Sequence, residues 1–259
     1  MGCRAVRPAS TVCVVRDPGH LEVLMVQRTM DANFMPGVWV FPGGAVDDTD
    51  ASPPAGFGTP PVDAWRVAAL REMIEETGIW LTTDGTLERD VTEDAFGAVE
   101  ASGVSLDLGA LFYFANWITP AVFPIGFDTR FFVAVVEDHI NGTIDGDELI
   151  DMAWVTPQEA LKLDGDRRWE LAYPTRRTLR LLAGESSSGS LISRLERVGS
   201  VPAVQPRLVV TDSEVYLLTP DDEGWEEAGP AQSDPTILDR MTEVLRRGGT
   251  VPAEFRHGS

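Results

Sequence analysis

The sequence predicts a mixed α/β (α+β) fold: an α-β-α sandwich with a mixed β-sheet between helices and a small C-terminal extension. Three observations predict it. Two apolar, β-branched segments near the start have the pattern of a hairpin, a long helix follows a glycine-rich bend, and later strands and helices are interspersed along the chain. Strands and helices in this mixed order favour a sheet with flanking helices.

The first half of the chain is predicted to form a hairpin, a bend and one long helix. Segments 10–15 and 21–27 are apolar and rich in β-branched residues, and turn residues separate them. Adjacent glycines after Phe41 mark a bend at the end of a strand, because glycine lets the backbone approach other groups closely. A helix is predicted over about 62–77, with Gly78 as its stop. Its core face is Val67, Leu70, Ile74 and Thr77.

The second half of the domain is predicted from shorter signals. A short helix near 93–101 interrupts a polar stretch at 82–104. Thr156 opens a capping box with Pro157 at the first helical position, which predicts a helix to about Leu163. The other predicted elements are strands over 111–117, 129–136 and 152–155 and a helix over 175–182.

A segment of small polar residues at 184–190 is predicted to be a flexible linker. It divides the chain into a domain at 1–184 and an extension at 185–259. The extension has few aromatic residues and therefore a weak core of its own. We expect it to pack on the first domain or to support a homodimer, with catalysis elsewhere. Its predicted elements are helices at 191–197 and 236–247 and strands at 207–211 and 214–218.

Composition limits the partners and the location. The chain has 259 residues, of which 43% are hydrophobic, and a net charge of −20, so a sizeable core is possible and a non-specific nucleic-acid partner is excluded. The same acidity repels diphosphates, so a small-molecule substrate of that kind needs bound metal and local arginines. Cys3 and Cys13 form no disulfide framework, and no apolar run approaches a membrane span. We expect a cytoplasmic protein that does not bind membranes.

Three carboxylates crowd one side of the long helix just before its glycine stop. Glu72, Glu75 and Glu76 are spaced i, i+3 and i+4, so they share about a third of the helix circumference. Each like-charge pair costs a few tenths of a kcal/mol, and the helix dipole opposes acids in the last turn. A divalent cation would remove this repulsion, and hard ions such as Mg²⁺ prefer oxygen ligands. The alternative is a solvated face on which Glu75 pairs with Arg71.

These residues, read with the glycine bend before them, resemble the Nudix hydrolase signature. That pattern is Gly, five residues, Glu, seven residues, then Arg-Glu-aliphatic-any-Glu-Glu-any-Gly-aliphatic. The segment 71–79 matches every defined position of the second half, and Gly44 fits the opening glycine. Asp50 stands where the family has Glu. Twenty residues instead of seven separate Asp50 from Arg71, and we expect the insert at 51–61 to be a surface loop because it contains four prolines and two glycines.

An insert at this place looks like the Nudix subgroup that includes coenzyme A and acyl-coenzyme A diphosphatases. The motif Phe41-Pro42-Gly43-Gly44 and the segments 117–120 and 127–132 support the same subgroup. The resemblance implies the Nudix fold and hydrolysis of a nucleoside diphosphate linked to another moiety. The substrate that we expect is coenzyme A or acyl-coenzyme A. Alternatives are a pyrophosphatase acting on ADP-ribose or NADH, and a Nudix module that binds nucleotides without cutting them.

The resemblance also implies roles for individual residues. Glu72, Glu75 and Glu76 would hold Mg²⁺ or Mn²⁺, and Arg71 would brace the loop by pairing with an acid such as Asp50. The general base would be Glu72, Glu75 or Glu148, which precedes a predicted strand. The backbone of Gly43 and Gly44 would lie close to the metal. Further candidate substrate contacts are Arg28 and Arg130 for phosphates and Trp39, Trp117 or Phe123 for an adenine ring.

Overall fold

The computed structural model describes residues 6–32, 35–58, 61–120, 123, 125–144, 146–212, 214–228 and 236–246. Cys3, residue 247 and the terminal segment 256–259 lie outside these ranges. An eight-stranded mixed sheet forms the centre of the fold. Its strands are β1 (Arg7–Arg16), β2 (Glu22–Arg28), β3 (Trp39–Val40), β4 (Gly43–Ala45), β7 (Phe112–Ile118), β8 (Phe127–Val135), β9 (Leu149–Val155) and β10 (Ala203–Val204).

Two further hairpins and the helices complete the described chain. The hairpins are β5 (Ile79–Thr82) with β6 (Gly85–Glu88), and β11 (Arg207–Val210) with β12 (Val215–Leu218). The helices are α1 (Ala64–Thr77), α2 (Ala95–Ser102), α3 (Pro157–Gly165), α4 (Tyr173–Leu182), α5 (Ser188–Leu195), α6 (Trp225–Ala228) and α7 (Ile237–Arg246). None of the helices in the described ranges is both long and apolar enough to cross a membrane.

Strand β1 divides the interior into two cores. It runs parallel to β8 and antiparallel to β2 and β4. Because successive side chains of a strand point to opposite faces, Val12 and Val14 join the core under α1, whereas Cys13 and Val15 join the core with α3, α4 and α5. The sheet therefore has helices on both faces, and the predicted α-β-α sandwich is confirmed.

Most of the predicted elements are present, with shifted ends. Helix α1 begins two residues later than predicted, because the Asp63 carboxylate accepts a hydrogen bond from the Trp65 amide and caps it. It ends where predicted, at Gly78, which has φ 63°. The predicted bend after Phe41 lies at Pro42 and leads into a short strand, β4, paired with β1. The β5–β6 hairpin, which was not predicted from the sequence, overlaps the start of the polar stretch at 82–104.

The insert in the motif is not only a surface loop. Phe57 is fully buried in the core under α1 and packs edge-on against Phe96, with ring centroids 5.0 Å apart. The Leu106 amide donates a hydrogen bond to the carbonyl of Gly56, 2.7 Å away. The expectation of a surface loop holds for most of the described insert residues, but Phe57 supplies part of the core.

The segment predicted to be a flexible linker is ordered. Ser187 caps α5, and the amide of Ser188 donates a hydrogen bond of 2.7 Å to Asp17. Leu191 and Leu195 of α5 are buried in the same core as β1 and α4. The small polar residues provide a helix cap here instead of flexibility, because serine side chains satisfy free amides at a helix start. The division at 184 stays a prediction.

The β11–β12 hairpin lies beside α4. Arg177 on α4 donates hydrogen bonds of 2.9 Å to both Asp222 and Thr219, which follow β12. Asp222 in turn accepts from the Thr219 amide and hydroxyl. A small apolar cluster lies under the hairpin and includes Ile237 of α7. The hairpin is thus fixed to α4 by a polar network, in addition to the apolar contacts beneath it.

Candidate active site

Helix α1 lies across the sheet at β1 and β4. The Ser10 hydroxyl on β1 donates a hydrogen bond of 2.6 Å to the Trp65 carbonyl at the start of the helix. The predicted core face is fully buried: Val67, Leu70, Ile74 and Thr77 all have 0% exposure. The helix is therefore held in one rotation about its axis, and this rotation directs its carboxylates toward β4.

Arg71 is the centre of the carboxylate cluster. Its Nε and Nη2 donate to the two oxygens of Asp50 at 2.9 and 3.1 Å. Its Nη1 donates to Glu72 at 2.8 Å and to Glu75 at 3.0 Å, and Nη2 also reaches the Ala45 carbonyl. The predicted brace between Arg71 and Asp50 is present. Asp50 has 0% exposure. This aspartate, which stands where the family has Glu, is therefore enclosed, and both of its oxygens are paired.

The two glycines lie against the glutamates. The Gly43 amide donates a hydrogen bond of 2.8 Å to Glu76, and a Cβ on Gly44 would overlap the carboxylate of Glu72. Gly43 has φ 152° and lies so close to the backbone of β1 that it has no space for a side chain. Adjacent glycines are needed here because the strand passes directly beside charged side chains.

Burial and crowding disturb the ionisation of all three glutamates. Burial raises the pKa of Glu72 to about 7, against the opposing effect of Arg71. Burial and the charge of Glu72 raise the pKa of Glu76 to about 8, although the Gly43 hydrogen bond and Arg28 lower it. Burial also raises the pKa of Glu75. The cluster therefore carries less negative charge near neutral pH than its three carboxyls suggest.

The cluster matches a hard divalent ion in donor type. Carboxylate oxygens are the ligands that Mg²⁺ prefers, and their raised pKa values show that negative charge is held here at a cost. Within the part of the chain that the structure describes, no three acidic, histidine or cysteine side chains are arranged as a metal site. Glu72 and Glu75 instead pair with Arg71, and Glu76 pairs with Gly43.

Arg28 and Glu148 lie near the glutamates. The charges of both residues act on Glu76, Arg28 lowering its pKa and Glu148 raising it. The backbone explains their proximity, because the Thr29 amide donates a hydrogen bond of 2.8 Å to the Glu148 carbonyl where β2 and β9 meet. The Glu148 side chain is exposed. The fold therefore brings the predicted late acid and one predicted arginine to the cluster.

Arg130 has other partners. Its guanidinium stacks 3.8 Å from the Trp65 ring centroid and lies 3.3 Å from Asp63, at the start of α1. Glu72 is seven residues further along the helix, about 10 Å at 1.5 Å per residue. The described contacts do not bring Arg130 to the glutamates, and its role as a phosphate contact stays a prediction.

All three aromatic candidates are packed against other side chains, and Phe123 lies against the apolar cluster under the β11–β12 hairpin. Trp39 has 4% exposure and stacks on Trp169 with ring centroids 3.9 Å apart, so it belongs to the core. Trp117 packs edge-on against Tyr173 and, with Phe123, lines an apolar cavity on the opposite face of the sheet from α1. The prediction that Trp39 stacks on an adenine ring is wrong, because both the ring and its surroundings are already packed.

One contact to the cluster was not predicted from the sequence. The first amide of α2, at Ala95, donates a hydrogen bond of 3.3 Å to Glu75. A helix start carries partial positive charge, so it favours a carboxylate there. The signal was in the sequence as the cap residue Asp94, whose side chain accepts from the Gly97 amide. What the sequence did not contain was the position of α2 relative to α1.

Comparison with known proteins places this fold and site in a family. The NUDIX domain family matches residues 6–176, more than half of the chain. The chain therefore belongs to the Nudix family.

Two curated relatives and one solved structure support this assignment. A putative nudix hydrolase 7 of Caenorhabditis elegans is 33% identical over 54% of this chain, and the chain spans about half the length of that relative, 48%. The acyl-coenzyme A diphosphatase NUDT19 of Gallus gallus is 26% identical over 90% of this chain and 81% of the relative. The crystal structure of a NUDIX hydrolase from Alicyclobacillus acidocaldarius has a TM-score of 0.63, with 29% identity over 74% of this chain and 97% of that one.

Proposed function

We propose that this chain is a divalent-metal-dependent hydrolase that cleaves the diphosphate bond of a nucleoside diphosphate linked to another moiety. The observation that carries the proposal is the carboxylate cluster of α1, held around Arg71 and against the two glycines. Membership of the Nudix family supports the same reaction class. Mg²⁺ or Mn²⁺ is the cofactor in this proposal.

Glu72, Glu75 and Glu76 would hold the metal. When bound, the ion neutralises the diphosphate and lowers the pKa of a water molecule. Arg71 keeps the glutamates in place through its bonds to Glu72 and Glu75 and is anchored by Asp50. The rigid pairing of Arg71 matters because catalytic groups must be held in place before the substrate arrives.

The protein groups around the cluster would bind phosphate and accept a proton. Arg28 supplies a positive charge close to Glu76 and would contact a phosphate oxygen. Glu148 is exposed and close enough to influence Glu76, which suits a base that takes a proton from the attacking water. Glu72 and Glu75 are the other candidates for this base.

The substrate that we propose is coenzyme A or acyl-coenzyme A. The proposal is supported by the length of the match to the chicken acyl-coenzyme A diphosphatase, which extends over 90% of this chain. It is also supported by the insert at 51–61, whose place inside the motif resembles that in the coenzyme A and acyl-coenzyme A diphosphatase subgroup. ADP-ribose and NADH are the competing substrates, and binding without hydrolysis is the competing function.

Incubation of the purified chain with a substrate panel tests the proposal. The panel contains coenzyme A, acyl-coenzyme A, ADP-ribose, NADH, dinucleoside polyphosphates and nucleoside triphosphates, each with Mg²⁺, with Mn²⁺ and with EDTA. Adenosine 3′,5′-bisphosphate and a 4′-phosphopantetheine product, formed only with metal, support the coenzyme A proposal. AMP from ADP-ribose at higher kcat/KM moves the assignment to the alternative substrate, and binding with no product supports a binding module.

A double variant tests the role of the glutamates. We expect Glu75→Gln with Glu76→Gln to lose metal-dependent hydrolysis while remaining folded. Glu100→Gln removes one exposed carboxylate from the neighbouring helix α2 and is the control. Equal turnover by the double variant and the control would show that the metal assignment is wrong.

A further inference from the structure

An apolar cavity lies on the far side of the sheet from the glutamates. It has a volume of about 180 Å³ and is lined mainly by apolar side chains of the sheet and α4, with Pro206 and Leu217 from the extension. Thr11 of β1 lines it, and Thr11 is the register partner of Gly43, whose amide binds Glu76. The cavity and the glutamate cluster are therefore separated by the thickness of one strand.

The path between the two sites follows the segment 41–43. Phe41 lines the cavity, and two residues later Gly43 contacts Glu76. Among the described strands, β4 pairs with β1 on one side and with none on the other. A linear molecule whose diphosphate lies at the glutamates can thus pass over the edge of β4 and reach the cavity.

Size and chemistry restrict what the cavity accepts. Pockets for drug-sized ligands have volumes of about 300–1,000 Å³, whereas an apolar cavity of about 150 Å³ holds a benzene molecule. At about 180 Å³ the cavity is too small for a nucleoside and suits a slender chain. Its apolar lining also disfavours a purine, which carries several hydrogen-bonding groups that need partners.

We propose that this cavity binds the end of the non-nucleotide arm of the substrate, a linear apolar acyl chain. The inference rests on the proposed diphosphatase function and specifies its substrate class. It also gives the extension a role: Leu217 of β12 forms part of the cavity wall, and the Arg177 bonds to Asp222 and Thr219 hold that hairpin in place. Leu217 is then a specificity-determining residue.

Binding of the two halves of the substrate, measured separately by calorimetry in EDTA, tests the inference without hydrolysis. The probes are S-butanoyl-pantetheine, which has no nucleotide, and adenosine 3′,5′-bisphosphate, which has no chain. Leu217→Trp fills the cavity, and Tyr216→Trp places the same ring on the exposed neighbouring position as its control.

We expect the parent and the Tyr216→Trp control to bind butanoyl-pantetheine. Leu217→Trp should weaken that binding by more than about tenfold. Equal binding by Leu217→Trp and Tyr216→Trp, with matching thermal unfolding, would overturn the inference. Loss of adenosine bisphosphate binding in Leu217→Trp with retained pantetheine binding would also overturn it, since the cavity would then hold the nucleotide.

Hydrolysis with Mg²⁺ separates this inference from the proposed function. If no diphosphate is cleaved but Leu217→Trp alone loses the pantetheine probe, the function fails and the cavity assignment stands. If Leu217→Trp and Tyr216→Trp cleave butanoyl-coenzyme A with equal kcat/KM, the diphosphatase function stands and the cavity assignment is wrong.

Discussion

Replacing Asp50 with asparagine isolates the contact that joins the motif loop to α1. The Asp50 side chain has 0% exposure. Its Oδ2 accepts two hydrogen bonds, from Arg71 at 3.1 Å and from the Asp47 amide at 2.8 Å. Asparagine has the same shape, but one of its two terminal atoms is an amide nitrogen, which is a donor. In one orientation this nitrogen would face the donors now bonded to Oδ2, and in the other it would face the Arg71 Nε bonded to Oδ1. The substitution therefore removes charge and places donors against each other, with no change in volume.

The expected cost follows from these contacts. Breaking one partner of a buried ion pair costs about 3–5 kcal/mol, because the remaining charge is left uncompensated. Arg71 keeps its bonds to Glu72 and Glu75, so part of its charge stays balanced. We therefore expect Asp50→Asn to lower the free energy of unfolding by about 2–4 kcal/mol.

Urea unfolding followed by tryptophan fluorescence measures this change, provided that the m-value is the same for each variant. Asp48→Asn is the matched control, because Asp48 is exposed in the short 3₁₀ helix (Asp48–Ala51) that also contains Asp50. It should change stability by less than about 0.5 kcal/mol. Asp50→Glu keeps the charge but adds a methylene to an enclosed position, at about 1–3 kcal/mol. If Asp50→Asn were as harmless as Asp48→Asn, the pairing of Arg71 with Asp50 would not be what secures the loop.

Three further predictions concern the insert, the glycines and pH. Phe57→Ala should lower the free energy of unfolding by about 3–5 kcal/mol, whereas Ser52→Ala, at an exposed position of the same insert, should lower it by almost nothing. Equal urea midpoints for the two variants would contradict the core role of the insert. Gly44→Ala should reduce the rate of hydrolysis by about 10²-fold, because the added Cβ displaces the carboxylate of Glu72. Gly165→Ala should leave the rate unchanged, because Gly165 has open space around it. Without metal, stability should fall as pH rises from about 5 to 8, because the pKa of Glu76 is raised to about 8 and the folded state holds a proton that the unfolded state releases. In Glu76→Gln this fall should be smaller, and a parent protein whose stability rises over that range would contradict the raised pKa.

The sequence was sufficient wherever structure depends on local spacing. The three glutamates share one face of α1 because their separations match the helix repeat, and the structure holds them together beside Gly43 and Gly44. Gly78 ends the helix because its backbone conformation, φ 63°, favours glycine. The paired strands at the start follow from apolar segments around a turn. In each case neighbours within a few residues carry the information.

Tertiary structure decided what lies around those local elements. Proline and glycine content indicated that the insert is a surface loop, but Phe57 is buried because β5, α2 and α1 leave a space that it fills. Serine content indicated a flexible segment at 184–190, but Ser188 meets Asp17, 171 residues away in sequence, and the apolar residues that follow enter the core. Burial is a property of the packed chain, so composition within a short window does not determine it.

The same distinction applies to the site. Sequence alone determined the type and spacing of its charged groups, which is why the carboxylates and Arg71 were identified. Only the fold decided that Arg71 bonds to Glu72 and Glu75 at once, that the start of α2 faces Glu75, and that Arg130 lies at the other end of α1. The ionisation of each carboxyl also depends on its distance from water and from other charges. Those distances are set by long-range packing, which no local pattern in the sequence records.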